Sequence, residues 1–369
     1  MRLGDAIKFE YGKPLDQSKR KHDGLFPVYG ANGEIDRTDE FLYAETSIII
    51  GRKGSAGEVN LSAPRFWPLD VTYYVTFNDN KYDLKFLFYL LIGLDLPKLA
   101  KGVKPGLNRN EVYDIDVNIP PFPEQQRIVA ILDESFDAIT KAKENTEKNL
   151  QNTREIYESY LRSIFANPGE GWKEKKLGEV CEFIRGPFGG SLKKQIFVND
   201  GYAVYEQSHA IYNQFTEIRY YIDDNKFNEM KRFELNPGNI IMSCSGTMGK
   251  TAIVPEGIKK GIINQALLIL KPNKTIANKF IVLWMQSGSF QESLRAYSSG
   301  AAIQNVASVK ILKEMKIQFP TLPEQIATVA KLDVFSVETQ KLEAIYSQKL
   351  ADLDELKKSI LQKAFNGEL

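Results

Sequence analysis

Asn118-Ile119-Pro120-Pro121-Phe122 resembles the Asn/Asp-Pro-Pro-Tyr/Phe motif of amino-methyltransferases, but Ile119 interrupts it. The matching place in the second half, Phe319 to Pro323, lacks the motif, and no Gly-x-Gly cofactor loop accompanies it. A helix-entry turn explains the prolines. Gly246-Thr247-Met248-Gly249-Lys250-Thr251 imitates the end of a phosphate-binding loop, but Cys244 stands where that motif needs glycine. Glycines in these blocks fit tight turns with positive φ beside a strand. Cys181 and Cys244 have no metal-ligand spacing and read as buried thiols. The two histidines, His22 and His209, are too few for a metal cluster or a triad on each half. His209 reads equally as a structural residue and as a nucleic-acid contact. No active site emerges from these residues.

The remaining polar clusters carry cations and amides. In the first half these are Lys19, Arg20, Lys21, Tyr29, Asn32, Arg52 and Lys53, with Lys104, Asn108 and Arg109 around Pro105-Gly106. In the second half they are Arg185, Lys193, Lys194, Gln207, Ser245, Thr247, Lys250, Asn264, Gln265, Gln304 and Asn305. Arg and Asn can pair bidentately with guanine and adenine edges, whereas Lys mostly holds phosphates. Taken singly, each is explained as well by solvated surface or turn chemistry.

What must position them is a duplicated chain. Pro123-Glu124-Gln125 recurs as Pro323-Glu324-Gln325, and the following stretches align without a gap to Phe165 and Phe365. Leu3-Gly4-Asp5-Ala6 is echoed by Leu177-Gly178-Glu179-Val180, and the block from Ile48 to Gly57 by that from Ile240 to Gly249. Tyr29 to Gly33 has no clear echo. Each repeat is a domain plus a long helix, far beyond solenoid periods. The expected fold class is mixed α/β (α+β), with two similar globular domains separated by two long helices and an internal pseudo-twofold repeat. The expected boundaries are 1–122 and 171–322 for the domains, and 123–170 and 323–369 for the helices. Strands are expected at Thr46 to Ile50, Val71 to Phe77, Asn239 to Met242 and Ile262 to Leu270, and helices at Leu84 to Leu94 and Asn278 to Leu294.

The formal net charge of +1 averages unlike parts. Residues 171–322 carry 20 Lys+Arg against 13 Asp+Glu, residues 1–122 carry 16 against 17, and the helical stretches together carry 12 against 17. A basic module on acidic helices suits a nucleic-acid-facing part on a protein-facing part. No apolar run approaches the roughly 18–20 residues of a membrane span, and no signal-like apolar stretch opens the chain, so the expected location is the cytosol.

After each Pro-rich step come about 42 residues without proline or glycine. In the first, Ile128, Leu132, Ser135, Ile139, Ala142, Thr146, Asn149, Thr153, Ile156 and Tyr160 advance as a heptad seam. In the second, Leu342, Tyr346, Lys349, Leu353, Leu356 and Ile360 do the same. The simplest partner for each helix is the other, paired antiparallel as a coiled coil.

With these features the chain resembles the specificity subunit of type I DNA restriction–modification systems over essentially its whole length. The resemblance rests on the duplicated Pro-Glu-Gln helix openings and the Gly-spaced blocks. It rests also on Pro27-Val28-Tyr29-Gly30-Ala31-Asn32-Gly33 and the C-terminal run from Lys357 to Leu369. It implies two target recognition domains, each reading one half of a bipartite double-stranded DNA site, with the polar clusters above as their DNA-facing sets. It also implies two methyltransferase subunits and two restriction subunits as partners. S-adenosylmethionine, ATP and Mg²⁺ would then belong to those partners, leaving this chain non-catalytic and without a cofactor. Two rivals remain: a stand-alone bipartite DNA-binding regulator and a self-sufficient methyltransferase, the second disfavoured by the missing motifs.

Overall fold

Ile48-Ile49-Ile50 is apolar on both faces, which suits an inner strand rather than an edge. The computed structural model, which describes residues 1–296 and 309–369, places it there. Ile48–Gly51 runs between Thr72–Phe77 and Val59–Leu61, and Ile7–Tyr11 closes the other edge, all antiparallel. The second half builds the same sheet. Ile240–Ser243 lies between Leu267–Pro272 and Thr251–Ile253, with Cys181–Arg185 on the far edge.

A second small sheet also recurs. Phe26–Gly30 pairs antiparallel with Gly33–Thr38 and parallel with Trp67–Pro68. Tyr202–Tyr205 pairs antiparallel with Tyr221–Ile222 and parallel with Gly261–Ile263. Val28-Tyr29 therefore does have an echo, Val204-Tyr205. Both tyrosines are buried, at 6% and 0% exposure. Ala63 N donates to the Tyr29 hydroxyl at 2.9 Å, and the Tyr205 hydroxyl donates to Lys259 O at 2.6 Å.

Two expected elements divide. The run Ile262 to Leu270 is two strands in different sheets, because Asn264 Oδ1 accepts from Ala266 N at 2.9 Å and turns the chain between them. The helix expected from Asn278 to Leu294 is Asn278–Gln286 and Gly288–Ala296, broken at Ser287, whose hydroxyl donates to Trp284 O at 2.6 Å. The first-half helix, Leu84–Gly93, is close to its expected span.

The repeated Pro-Glu-Gln opens each long helix, Phe122–Ala166 and Leu322–Asn366, of 45 residues each. Its glutamine is a lock. Gln125, 1% exposed, accepts from Asp83 N at 2.8 Å and donates to Lys81 O at 3.0 Å and Pro120 O at 2.8 Å. Gln325, fully buried, accepts from Ala277 N at 2.8 Å and donates to Thr275 O at 3.1 Å and Pro320 O at 2.9 Å. Each lock joins the entry of a long helix to the N-terminus of its own module's helix, where backbone groups would otherwise lack partners.

The chain divides into two compact units, residues 1–148 with 347–369, and residues 149–346, each taking in part of both long helices. Within each unit the two helical stretches run antiparallel. In the first, Lys143 pairs with Asp354 at 2.8 Å and Lys357 Nζ lies 5.0 Å from the Phe136 ring. In the second, Arg154 pairs with Glu343 at 3.1 Å and the Tyr160 and Phe335 rings lie 5.1 Å apart.

Half of the expected seam changes phase. Leu132, Ile139, Thr146 and Thr153 are buried, but Phe136, Lys143, Leu150 and Tyr157 alternate with them, and Asn149, Ile156 and Tyr160 are exposed. In the second helix Leu332 and Thr339 are buried and Tyr346, Leu353 and Ile360 half-buried, whereas Leu342, Lys349 and Leu356 are exposed. The buried threonines bond to their own helix, Thr146 to Ala142 O at 2.7 Å and Thr153 to Asn149 O at 2.8 Å. Among the described residues no helix is long and apolar enough to cross a membrane.

Candidate nucleic-acid interface

The polar candidates sit where the strands end. In the first unit the strand Ile7–Tyr11 ends at Tyr11, and Ile48–Gly51 runs out into Arg52-Lys53. Two guanidinium groups flank the Tyr11 ring, Arg52 at 5.4 Å and Arg109 at 4.9 Å from its centroid. Arg52 donates through Nε and Nη2 to Asp70 O at 3.0 and 2.7 Å, and Arg109 Nη1 donates to Phe9 O at 3.3 Å. These bonds fix both groups, removing rotamer freedom that binding would otherwise have to remove.

The loop carrying Lys104 is stitched to the same place. Gly54 N donates to Pro105 O at 3.1 Å, Leu107 N to Arg52 O at 3.0 Å, and Lys53 bridges to Gly106. Asn108 caps the helix Arg109–Tyr113, its Oδ1 accepting from Asn110 N at 3.0 Å. Beneath them, burial pushes the Tyr73 hydroxyl up to about 12, so it stays a neutral donor, to Leu107 O at 3.3 Å. The turn around Asn32 adjoins this edge. A side chain at Gly51 would meet Ala31 O at 2.6 Å. Gly57, at φ +89°, has no room for one beside the Pro97 backbone, and its counterpart Gly249 takes the same left-handed conformation at +74°.

Asn32, Arg52, Lys53, Lys104, Asn108 and Arg109 thus share one edge. Lys19, Arg20 and Lys21 lie apart from it. Lys21 bridges to Arg37, at the end of the Gly33–Thr38 strand opposite the Asn32 turn. Two of their charges are matched locally, Lys19 with Glu40 at 2.7 Å and Lys21 with Asp39, and Arg20 Nη2 donates to Leu15 O at 3.1 Å. The Asp39 carboxylate holds the Lys21 ammonium above its ordinary range. Tyr29 is a correction, because a phenol buried in the core with its hydroxyl bonded to Ala63 N presents nothing to a base. Nothing in the sequence singles out Tyr11, since a lone exposed aromatic at a strand end has no periodic signal.

The second unit repeats the edge with different side chains. Arg185 ends its strand, Cys244-Ser245 follows Ile240–Ser243, Glu206-Gln207 follows Tyr202–Tyr205, and Asn264-Gln265 links Gly261–Ile263 to Leu267–Pro272. Backbone bonds hold them together: Cys244 N to Ala266 O at 2.9 Å, Asn264 N to Tyr205 O at 2.9 Å, and Gly186 N to Leu267 O at 3.0 Å. A side chain at Gly186 would fall 1.9 Å from Asn264 O, so only glycine allows this approach. Thr247 and Lys250 lie on the adjoining turn, where Ser243 Oγ donates to Thr247 O at 2.6 Å and accepts from Lys250 N at 3.0 Å.

Lys193 and Lys194 are exposed on a short turn whose neighbours Leu192 and Ile196 pack on a separate cluster with Val204 and Ile222. Gln304 and Asn305 lie outside the described residues. His209, 2% exposed, is structural, its Nδ1 accepting from Glu206 N at 2.9 Å and its Nε2 donating to Glu217 O at 3.1 Å. Burial pushes the thiols of Cys181 and Cys244 up to about 12 and 11, leaving neither as a thiolate near neutral pH.

Comparison with known proteins gives this architecture its family. The profile described as "Type I restriction modification DNA specificity domain" matches residues 1–150 and 169–350. The chain is 22% identical to the type I restriction enzyme EcoDI specificity subunit of Escherichia coli, over 100% of this chain and 87% of that one. A solved chain from a type I restriction–modification system superposes with a TM-score of 0.79 at 19% identity, covering 100% of this chain and 97% of the other. The HsdS subunit of Thermoanaerobacter tengcongensis gives 0.62 at 19% identity, covering 100% and 96%. Two repeated α/β modules, two shared long helices and a profile match across both halves lead to one conclusion: the chain belongs to the family of type I restriction–modification specificity subunits.

Proposed function

We propose that each unit uses its strand-end edge to read one half of a bipartite double-stranded DNA site. The observation that carries this reading is the recurrence of one edge, built from the same strands in the same order, with its side chains exchanged. In the first unit it presents Arg52, Lys53, Lys104 and Arg109; in the second, Arg185, Lys250 and Gln265, whereas the Gln207 Oε1 is buried and the Asn264 Oδ1 is engaged by Ala266 N. Guanidinium groups pair with guanine O6 and N7, and carboxamides with adenine N6 and N7. The two edges therefore favour different half-sites.

The same reading assigns chemistry to partners. Methyl transfer and cleavage, with S-adenosylmethionine, ATP and Mg²⁺, would belong to two methyltransferase and two restriction subunits acting in the cytosol. The long helices support such a scaffold role. Ile156, Val334, Val337, Leu342, Ile345 and Leu356 are exposed on them, between 42% and 65%. Grouped apolar surface of this kind is a mark of protein–protein contact. A stand-alone regulator would have no use for it.

Exchanging residues 172–322 for the corresponding module of a related subunit tests the proposal. Methylome sequencing of cells carrying the hybrid should show one half of the methylated site changed and the other intact. A change in both halves would contradict independent reading by the two units.

A further inference from the structure

Val103 and Phe188 are the most exposed large apolar side chains among the described residues, Phe188 at 92%, and each unit holds one of them. Apolar side chains scattered singly over a surface need no explanation. These two are not scattered, because each stands on a loop stitched to the strand-end edge of its own unit.

Val103 lies at the end of the loop 101–106. Lys101 N donates to Gly106 O at 3.1 Å and Gly106 N to Lys101 O at 3.0 Å, which closes the loop at its base. Gly102 turns the chain at φ +98°, and Gly106 bridges to Lys53 on the edge. Val103 therefore projects from a closed tip, between Gly102 and Lys104.

Phe188 stands two residues beyond Gly186, whose approach to Asn264 O admits no side chain. Gly12 stands to Leu3 as Gly186 does to Leu177, and a side chain there would fall 2.1 Å from Leu69 O. Both loops thus leave their edges from the same place, and the first unit carries Pro14 where the second carries Phe188. The second loop is anchored on either side of the ring. Pro187 is buried, Ser191 N donates to Phe188 O at 2.8 Å, and Leu192 packs on the cluster of Val204 and Ile222. With inward-facing neighbours on both sides, the loop itself holds the ring in solvent. Gly190 has open space around it, so the tip is slim, and Arg185, Lys193 and Lys194 flank it in the chain.

An apolar side chain held in water gains free energy when a partner covers it. On DNA the apolar surfaces open to a slim tip are base faces and the thymine methyl group, whereas phosphates offer none. We propose that Val103 and Phe188 each pack on a base in the half-site that their own unit reads, an assignment that rests on the DNA-reading edge and adds an apolar contact to it.

Phe188→Ala and Val103→Ser in the full-length chain test this, beside the double variant Arg52→Ala with Arg109→Ala. Anisotropy is measured on DNA carrying the host's methylated site, on sites altered in either half, and on sites with uracil in place of thymine. Phe188→Ala should weaken specific binding roughly tenfold, the scale of one lost base–aromatic contact, and Phe188→Trp should restore it. Val103→Ser should weaken it severalfold. Each loss should fall on a single half-site with Tm unchanged, and the salt slope should stay the same because an apolar contact displaces no counterion. A matching loss with uracil assigns the contact to a thymine methyl; no effect of uracil, with unstacking reported by a fluorescent purine, assigns it to a base face. Unchanged specific affinity in either variant overturns the proposal. The arginine pair then shows whether the edge falls with it: a loss from the arginines alone spares the edge, and no loss there removes both. An equal loss on specific and non-specific DNA, or loss only of a co-purifying protein, would also overturn it.

Discussion

Replacing Arg52 and Arg109 together by alanine should lower affinity for the specific DNA site by roughly 30-fold to 10⁴-fold. Each guanidinium group on a base or phosphate is worth about 1–3 kcal/mol, which gives about 2–6 kcal/mol for the pair. The two groups flank one tyrosine ring and are held by backbone carbonyls, so the edge is already arranged for binding. Both side chains are half-buried and bonded to backbone carbonyls, so a modest loss of stability accompanies the change, and circular dichroism at the assay temperature separates it from lost binding. If the arginines face phosphates, the slope of log affinity against log salt should flatten by about one unit for each phosphate left unneutralised. If they read guanine, discrimination in one half-site should relax instead. Lys19→Ala, which removes a cation already paired with Glu40, should leave both readouts nearly unchanged. Fluorescence anisotropy over a salt series distinguishes these results. Equal losses from Lys19 and the arginine pair would mean that diffuse charge, not the edge, holds DNA.

The second large effect is expected at the glutamine locks. Gln125→Ala leaves Asp83 N and the carbonyls of Lys81 and Pro120 without their partner, and Gln325→Ala does the same to Ala277 N, Thr275 and Pro320. With about 1–3 kcal/mol for each buried polar group left unpaired, the loss is on the order of 3 kcal/mol for either residue. A change of that size lowers Tm by roughly 6–12 °C in a unit of this length. Gln126→Ala, on the exposed neighbour, should move it by less than about 1 °C, as surface substitutions usually do. Hydrogen exchange adds a local readout: the Asp83 amide should lose protection in the first variant and the Ala277 amide in the second. Wild-type protection in both would show that the locks do not hold the helix entries.

The sequence showed that Pro-Glu-Gln recurs but not why. The role of the glutamine depends on carbonyls some 40 residues upstream that no local pattern connects to it. Inner strands such as Ile48–Gly51 were readable because burial on both faces leaves an unbroken apolar run. The same rule misled at Ile262 to Leu270, where one run feeds two sheets through the Asn264 turn. The helix seam was readable in its buried half, at Leu132, Ile139, Thr146 and Thr153. It failed where Ile156, Leu342 and Leu356 point outward, because exposed apolar residues at helical spacing read the same as core in a sequence. The Tyr29–Tyr205 correspondence was hidden because spacing between repeated blocks changes: Leu3 matches Leu177, Val28 matches Val204, and Ile48 matches Ile240. At the candidate site, residue type pointed to Arg52, Lys53 and Arg109. Only the fold shows that both arginines lie over the Tyr11 ring, that Tyr29 is core, and that Lys19 to Lys21 lie elsewhere.

The central claim is that the two strand-end edges touch DNA. Photocrosslinking tests it most directly, with a benzophenone side chain placed singly at Lys53, at Gln265, at Lys19 or at Ile345, in complex with DNA carrying the host's methylated site. Crosslinks are expected from Lys53 to one half-site and from Gln265 to the other, with little from Lys19 or Ile345. Crosslinks from Ile345 or Lys19 with none from Lys53 and Gln265 would contradict it.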